Sequence, residues 1–386
     1  MTTHTNTIGE QSRGLLQQAH DIGHVTNFLK ERKFFKLVCG ASLDDVDLVE
    51  NLVYVFTLAG AHVIDLAASA DVIFAARRGI EKALLSSNLR LPTLVPRPLL
   101  MASIQIDKDP HFRKIEVDYA KCDLCSACVK VCPTEAFAIK CHSVPAFAGI
   151  NSSGNPGLGL EEWIPNQVGN DTQKKEFLYS IERCYGCGIC PSYCHVNALS
   201  LIDINPSPKQ TLQEMIDLDV KSIEFHFGKG YIKLKDIWSD IKGLVKKLDL
   251  ISFSIGSDLL TPEEIKEAAR LCYELAGEGI IIQCDGTPMS GGKKSGSGNN
   301  KDKSSLDVAK IIEELKLPAY LQISGGTDEK SFSRAEELGL KINGVAIGSY
   351  ARKLVMPYLK DLNNKDNLEN ATNLAKSLVN SVTLKY

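Results

Sequence analysis

The sequence predicts an α/β fold in which eight strand–helix units are interrupted by an inserted cysteine-rich module. Apolar strands alternate with amphipathic helices on both sides of the module, which itself carries two matched runs of four cysteines. Three strands precede the module and five follow it, and a (β/α)8 barrel requires eight. We therefore expect a (β/α)8-barrel-like scaffold with the module inserted after the third strand. The alternative is two open α/β sheets that flank the module.

The residues before the module supply three buried strands and two helices. The predicted strands are Phe35–Gly40, His62–Ala68 and Pro98–Ile106. The helices cover Leu43–Ala61 and Ala70–Leu84, where apolar residues recur with helical spacing. We expect Ser42 to cap the first helix and Gly60 to end it.

The alternation of strands and helices resumes after the module. The predicted strands are Ser222–Phe227, Leu250–Ile255, Ile280–Gly286, Ala319–Gly326 and Gly344–Arg352. The predicted helices are Pro208–Val220, Leu234–Leu248, Thr261–Gly279, Leu306–Leu317 and Asp328–Leu340. Pro262 marks a helix start, and the Gly-, Ser- and Lys-rich segment Ser290–Ser305 predicts a flexible loop.

These patterns divide the chain into five predicted parts. They are a disordered tail at 1–27, an N-terminal α/β part at 28–110, the cysteine-rich insert at 111–205, a C-terminal α/β part at 206–360, and a tail or helix at 361–386. Within the insert, a long loop is predicted at 141–178, because much of that stretch is rich in Gly, Asn and Pro.

The bulk composition excludes several classes of protein. A net charge of −3 over 386 residues argues against nucleic-acid binding through phosphate neutralisation. No apolar run reaches the roughly 20 residues that a membrane helix needs, and the polar first residues lack the apolar core of a secretory signal. We therefore expect a cytoplasmic protein without a transmembrane segment. In a reducing cytoplasm, clustered cysteines indicate metal ligation or catalysis rather than disulfides.

The two cysteine runs have the same spacing. Cysteine motif 1 consists of Cys122, Cys125, Cys128 and Cys132, and cysteine motif 2 consists of Cys184, Cys187, Cys190 and Cys194. This C-x2-C-x2-C-x3-C spacing is typical of bacterial ferredoxins with two [4Fe–4S] clusters. In that arrangement the first three thiolates hold one cluster and the fourth generally ligates the other. Two zinc sites are the alternative.

The spacing therefore assigns the cluster ligands in a crossed pattern. Cluster 1 takes Cys122, Cys125, Cys128 and Cys194, and cluster 2 takes Cys184, Cys187, Cys190 and Cys132. Short apolar segments precede and follow both motifs, as in a two-cluster ferredoxin. His195 follows Cys194 where Pro133 follows Cys132; it either donates a hydrogen bond to a cluster sulfur or is a surface residue. Cys141, next to His142, is expected to be an ordinary thiol rather than a further ligand.

Small residues end the last two predicted strands. Gly325, Gly326, Gly348 and Ser349 would leave backbone amides free for an anion, at the place where barrel enzymes often bind phosphate. This region resembles the phosphate-binding end of FMN-dependent barrels such as dihydroorotate and dihydropyrimidine dehydrogenases, so FMN is a candidate cofactor. Plain tight turns are the alternative.

Most of the chain resembles the LdpA family of cyanobacterial light-dependent period modulators. The resemblance is carried by the block from Phe28 to Ile80, the two cysteine motifs and the stretch "QCDGTPMSGG" at Gln283–Gly292, and it extends to about Lys360. It implies an iron–sulfur protein that reports the redox state set by photosynthetic electron flow to the circadian clock. It also implies protein partners among clock components.

Two functions follow as alternatives. The first is a redox sensor or electron-transfer adaptor, with Phe147–Gln173 and Ser290–Ser305 as candidate movable surfaces. The second is an iron–sulfur oxidoreductase acting on a small molecule at the carboxyl end of the barrel. Residues at or near strand ends would meet there, namely Cys39, Asp65, His226, Cys284 and Asp285. We assign no catalytic residue, and the absence of a base with family-specific spacing favours the sensor.

Overall fold

The computed structural model describes residues 22–87, 96–142, 174–256, 260–286 and 305–384. The strands, in chain order, are β1 Phe34–Val38, β2 Val63–Ala67, β3 Leu99–Gln105, β4 Arg113–Val117, β5 Phe137–His142, β6 Lys174–Tyr179, β7 Leu199–Asp203, β8 Ser222–His226, β9 Leu250–Gly256, β10 Ile281–Asp285, β11 Tyr320–Ser324 and β12 Gly344–Ile347.

Eight of these strands form a closed parallel barrel. Its order is β1-β12-β11-β10-β9-β8-β3-β2, so neighbours follow one another in sequence except where the insert separates β3 from β8. Phe34 of β1 pairs with Gly344 of β12 and closes the ring. The three-plus-five barrel predicted from the sequence is confirmed, and the alternative of two open sheets is wrong because β3 pairs directly with β8.

The helices surround the barrel, apart from one short helix, Ala127–Val131, within cysteine motif 1. They are α1 over residues 22–30, α2 Val46–Leu58, α3 Ala70–Ser87, α4 Ala127–Val131, α5 Pro208–Asp217, α6 Tyr231–Val245, α7 Pro262–Ala276, α8 Ser305–Glu313, α9 Ser331–Glu337, α10 Ser349–Val355 and α11 Lys365–Thr383. The hydrophobic core lies between the barrel and these helices. The predicted C-terminal tail or helix is therefore a helix over most of its length.

Local chemistry sets the helix ends. Asp45, and not Ser42, caps α2, because the Asp45 carboxylate accepts the amide of Leu48 at 2.9 Å. The Ser42 hydroxyl instead donates to the carbonyl oxygen of His111 at 2.9 Å. Gly60, at a φ of 86°, follows the end of α2 as predicted. Pro262 begins α7 as predicted.

The amino-terminal end of the barrel is covered by α1. Val25 and Leu29 of this helix pack on Phe34, Val63 and residues of three other strands. The predicted disordered tail at 1–27 is therefore wrong for residues 22–27, because they bury apolar surface in the barrel base. Residues 1–21 lie outside the described part of the chain.

The insert consists of two small antiparallel sheets. The strand before cysteine motif 1, β4, pairs with the strand after cysteine motif 2, β7. The strand after motif 1, β5, pairs with the strand before motif 2, β6. This crossed pairing gives the insert a pseudo-twofold arrangement. The loop predicted at 141–178 is strand at both ends, since the β5–β6 ladder joins His142 to Lys174. Residues 143–173 lie outside the described part of the chain, as do 287–304 of the second predicted loop.

Candidate functional site

The two cysteine motifs adopt the same backbone conformation. In each motif the second and fourth residues after the first cysteine, and the third residue after the last, lie in the left-handed region. These residues are Leu124, Ser126 and Glu135 in motif 1 and Gly186, Gly188 and Asn197 in motif 2, with φ between 51° and 74°. Only glycine adopts this conformation without cost, so four such positions in other residues indicate that surrounding structure imposes the loop shape.

Backbone amides point at the fourth sulfur of each motif in the same way. The amide of Ala136 donates to Cys132 Sγ at 3.2 Å, and the amide of Ala198 donates to Cys194 Sγ at 3.2 Å. Amide hydrogen bonds of this kind stabilise thiolates and tune the potential of iron–sulfur clusters. The match extends the pseudo-twofold relation of the strands to the sulfur atoms.

The four cysteines predicted for cluster 2 lie around one cavity. Cys132, Cys184, Cys187 and Cys190 line it together with apolar side chains that include Phe137. Burial raises the pKa of the Cys190 thiol well above its ordinary value, and the neighbouring thiols raise it further. Such thiols ionise only when a cation compensates them, so the donor set fits a metal cluster bound by thiolates.

The motif 1 cysteines are more exposed. Burial raises the pKa of Cys128 to about 11, and Cys122 and Cys125 lie close enough to raise it further. A polar contact joins the loop of Cys194 to this group, with His195 Nε2 at 2.8 Å from Asp123 Oδ2. With 61% of its side chain exposed, His195 is a surface residue, which favours the second of the two predicted roles.

Lys114 of β4 attaches the insert to the barrel. Its Nζ donates to the carbonyl oxygens of Ser42 at 2.5 Å, Ile181 at 2.8 Å and Cys184 at 2.7 Å. It also forms an ion pair with Asp44 at 3.0 Å. Since Ser42 and Asp44 belong to the loop between β1 and α2, one buried ammonium group holds that loop against the loop of a predicted cluster ligand.

Tyr185 makes the second connection between the insert and the barrel. It follows Cys184 directly and lines both the cysteine cavity and a cavity at the carboxyl end of the barrel. The guanidinium of Arg352 lies 4.5 Å from the centre of the Tyr185 ring. Arg352 Nη1 donates to the carbonyl oxygens of Val38 at 2.7 Å and Cys39 at 2.8 Å, where β1 ends.

The cavity at the carboxyl end, here called the barrel mouth, contains three of the five side chains predicted to meet there. Asp65, His226 and Asp285 line it. Cys39 and Cys284 are also buried, but they belong to the hydrophobic core outside the barrel. The reason is strand alternation, which points Asp285 inward and its neighbour Cys284 outward.

The mouth continues into a polar barrel interior. Lys36 and Glu224 form an ion pair there with both side chains fully buried. Glu224 also accepts from Ser252 Oγ at 2.9 Å and from Gln283 Nε2 at 2.6 Å. Burial alone would raise the pKa of Glu224, but the Lys36 ammonium holds it below its ordinary value. Burial, followed by the Glu224 charge, raises the pKa of Asp65 to about 6.

Several residues of the mouth were not predicted from the sequence. Glu224 lies two positions before His226 on the same strand. Because side chains two residues apart on a strand share a face, the sequence could have placed Glu224 beside His226. His111, Tyr185 and Arg352 come from a loop, the insert and a helix, and no local pattern connects them.

The four residues predicted to bind phosphate also line the mouth: Gly325, Gly326, Gly348 and Ser349. Gly325, at a φ of 72°, passes so close to Gly286 that an added Cβ would lie 2.5 Å from the Gly286 carbonyl oxygen. A tight approach of two loops therefore accounts for this glycine. The cavity volume of about 60 Å³ holds a few water molecules. As it stands, it does not fit the ring system of FMN.

Two family models match the chain. The Light dependent period A C-terminal domain matches residues 214–385, and a 4Fe-4S binding domain matches residues 114–137, which contain all of cysteine motif 1. Light dependent period A from Synechococcus elongatus is 29% identical over 347 residues, which cover 86% of this chain and 84% of that protein. The chain is similar to light dependent period A, as the family resemblance in the sequence predicted. The 4Fe-4S domain match supports an iron–sulfur protein.

Two solved structures show distant similarity to this chain. A tryptophan synthase structure from Mycobacterium tuberculosis has 7% identity and a TM-score of 0.43, over 94% of this chain and 98% of that one. A putative fructose-1,6-bisphosphate aldolase from Coccidioides immitis has 10% identity and a TM-score of 0.41, over 92% and 91%. At these values the matches carry no information about activity. Within the described residues, no helix is long and apolar enough to cross a membrane.

Proposed function

We propose that the chain is a redox sensor that binds two [4Fe–4S] clusters and passes their state to the barrel. One cluster is assigned to Cys122, Cys125, Cys128 and Cys194, and the other to Cys132, Cys184, Cys187 and Cys190. The matched backbone conformation of the two motifs and the cavity shared by the second set of cysteines support this assignment. When bound, such clusters exchange single electrons.

The observation that carries the proposal is the position of Tyr185 and Lys114. Both are tied to Cys184, and both contact the end of β1 or the loop after it. A shift of the Cys184 loop between two redox states would therefore move the Tyr185 ring that stacks on Arg352, and also the Ser42 carbonyl that Lys114 holds. A partner that binds this surface with different affinity in the two states would then sense the redox change.

The proposed partners are proteins. The relative is named for a light-dependent period, so we propose circadian clock components as partners, with an electron donor of photosynthetic metabolism. We place the protein in the cytoplasm and expect no nucleic-acid partner, because the net charge is −3.

Hydrogen exchange of the anaerobic full chain tests the relay. We expect amides of the loop between β1 and α2 to exchange at different rates in dithionite-reduced and oxidised protein. In Tyr185→Leu, which loses the stack on Arg352, that difference should shrink while the cluster spectrum persists. Equal exchange rates in the two redox states of the wild type would contradict the relay, but would not contradict the assignment of the cluster ligands.

Iron analysis tests the ligand assignment. Cys125→Ser should lose one cluster, so iron should fall from about eight to about four atoms per chain. The matched control is Cys272→Ser, because Cys272 is buried in α7 away from the motifs and should leave the iron content unchanged. Full iron content in Cys125→Ser, or zinc in place of iron and sulfide in the wild type, refutes the assignment.

The second candidate function is an oxidoreductase that acts at the barrel mouth. It is favoured by the convergence of Asp65, His226 and Asp285 beside Tyr185. FMN held by Gly325, Gly326, Gly348 and Ser349 would require the mouth to open further. Acid precipitation of the purified protein distinguishes the two functions: a flavin spectrum in the supernatant supports the enzyme, and its absence supports the sensor.

A further inference from the structure

Three potential metal ligands meet beside the barrel mouth, away from the cysteine motifs. Asp109, His111 and His226 each offer one ligand atom, and these three atoms all lie within 4.8 Å of one another. His226 ends β8, whereas Asp109 and His111 follow β3. They meet because β3 and β8 are neighbours in the barrel, with Gln105 paired to His226. The site therefore depends on the point in the barrel where the insert begins.

His226 has a nitrogen that the described residues leave unsatisfied. Its side chain is 3% exposed, and its Nδ1 has no hydrogen-bond partner among them. A buried polar atom without a partner destabilises the fold. The other ring nitrogen, Nε2, lies 3.2 Å from Ser103 Oγ and 3.4 Å from Glu224 Oε1. Metal-ligating histidines are usually held in this way, with the second nitrogen donating to a carboxylate or another acceptor.

The ligands differ chemically from both cysteine motifs. Two imidazoles and one carboxylate suit zinc or iron(II), whereas magnesium and calcium prefer oxygen ligands throughout. Asp109 Oδ1 faces His111 Nδ1 at 2.6 Å, so a cation would replace the proton that these two groups share. His111 is half-buried and lines the mouth, which leaves a path for a small ion.

We propose that Asp109, His111 and His226 bind one divalent transition-metal ion at the barrel mouth. This site would be separate from the [4Fe–4S] clusters and independent of the proposed relay. Three protein ligands leave coordination positions free, as in catalytic rather than structural zinc sites. The free positions would be available to water or to an oxygen atom of a small molecule in the mouth.

Zinc binding to the cluster-loaded full chain tests the proposal. We expect about one zinc ion per chain to survive desalting, with zinc-edge X-ray absorption fitting nitrogen and oxygen at about 2.0–2.1 Å. Asp109→Asn and His226→Gln should each weaken binding at least about tenfold. His24→Asn removes an exposed imidazole elsewhere and should change nothing. Iron is measured in every sample, so that damage to the clusters is detected.

Three results would overturn the site. The first is that cluster-loaded wild type retains no zinc, which leaves the Asp109–His111 pair as an ion pair only. The second is a zinc shell of sulfur at about 2.3 Å, which would place the ion on cysteine thiols. The third is unchanged affinity in both variants. If one variant fails to fold, the other decides.

Discussion

Replacing Lys114 by methionine should detach the insert from the barrel locally. The wild-type ammonium is buried and satisfies three carbonyl oxygens besides pairing with Asp44. Methionine fills a similar volume but donates no hydrogen bond. Each carbonyl left unpaired costs about 1–3 kcal/mol, and such costs are not additive. The Ile181 carbonyl keeps the amide of Cys184 as a donor, and Asp44 is 40% exposed, so the cost comes mainly from the carbonyls of Ser42 and Cys184. We expect a total of about 2–4 kcal/mol.

Hydrogen exchange of the anaerobic protein, followed peptide by peptide, measures this loss where it occurs. A loss of about 3 kcal/mol speeds exchange through local opening by about a hundredfold. The effect should appear in the Ser42 loop and the Cys184 loop, and amides of β9 and β10 on the other side of the barrel should keep their rates.

The matched control is Lys121→Met. Lys121 also forms an ion pair in the insert, 2.8 Å from Asp118, but its side chain is 61% exposed. Exposed pairs contribute about 0–1 kcal/mol, so this variant should exchange like the wild type. The reasoning about burial fails if the two variants behave alike, or if Lys114→Met leaves the exchange of both loops unchanged.

Two further predictions concern the barrel. Burial lowers the pKa of His62 to about 3, and its neutral Nδ1 accepts the Phe35 amide at 3.0 Å. The stabilisation of the fold by neutral His62 is therefore present above the ordinary pKa of 6.5 and declines as the pH falls below that value. When the pH is lowered from 7 to 5, the free energy of unfolding in urea should therefore fall by about 2 kcal/mol less in His62→Asn than in the wild type. An equal fall in both proteins would contradict this. Gly344→Ala should destabilise the barrel closure, because the new Cβ would overlap the Phe34 carbonyl oxygen. The control is Gly243→Ala on α6, where the new Cβ would lie in open space, and it should stabilise the protein by about 0.5–1 kcal/mol. If the melting temperatures of the two variants shift in the same direction, the comparison is refuted.

The sequence predicted the fold well because its signals are local and repeated. Each barrel strand is a short apolar segment before or after an amphipathic helix, and the cysteine spacing occurs twice. The helix cap at Asp45 was missed because Ser42 and Asp45 are both good caps. Only the tertiary bond from Ser42 to the His111 carbonyl decides between them.

The candidate site was predicted only in part, for reasons of geometry. Asp65, His226 and Asp285 were found because the carboxyl ends of barrel strands meet at one end. Cys39 and Cys284 were misplaced because a position near a strand end does not specify which face the side chain takes. Tyr185 and Arg352 lie far apart in the sequence, and their stacking depends on how the insert packs on the barrel.

The polar interior argues that the barrel is more than a support for the cysteine motifs. Barrels of this type usually fill their interior with Val, Ile and Leu. Here a fully buried Lys36–Glu224 pair and the amide of Gln283 occupy it. Desolvating such a pair often costs more than its mutual attraction returns, and apolar residues of similar volume would commonly be as stable. Stability alone therefore does not account for these residues. The Lys36 ammonium does, against the effect of burial, keep the pKa of Glu224 below its ordinary value, so that an ionised carboxylate lines the barrel mouth.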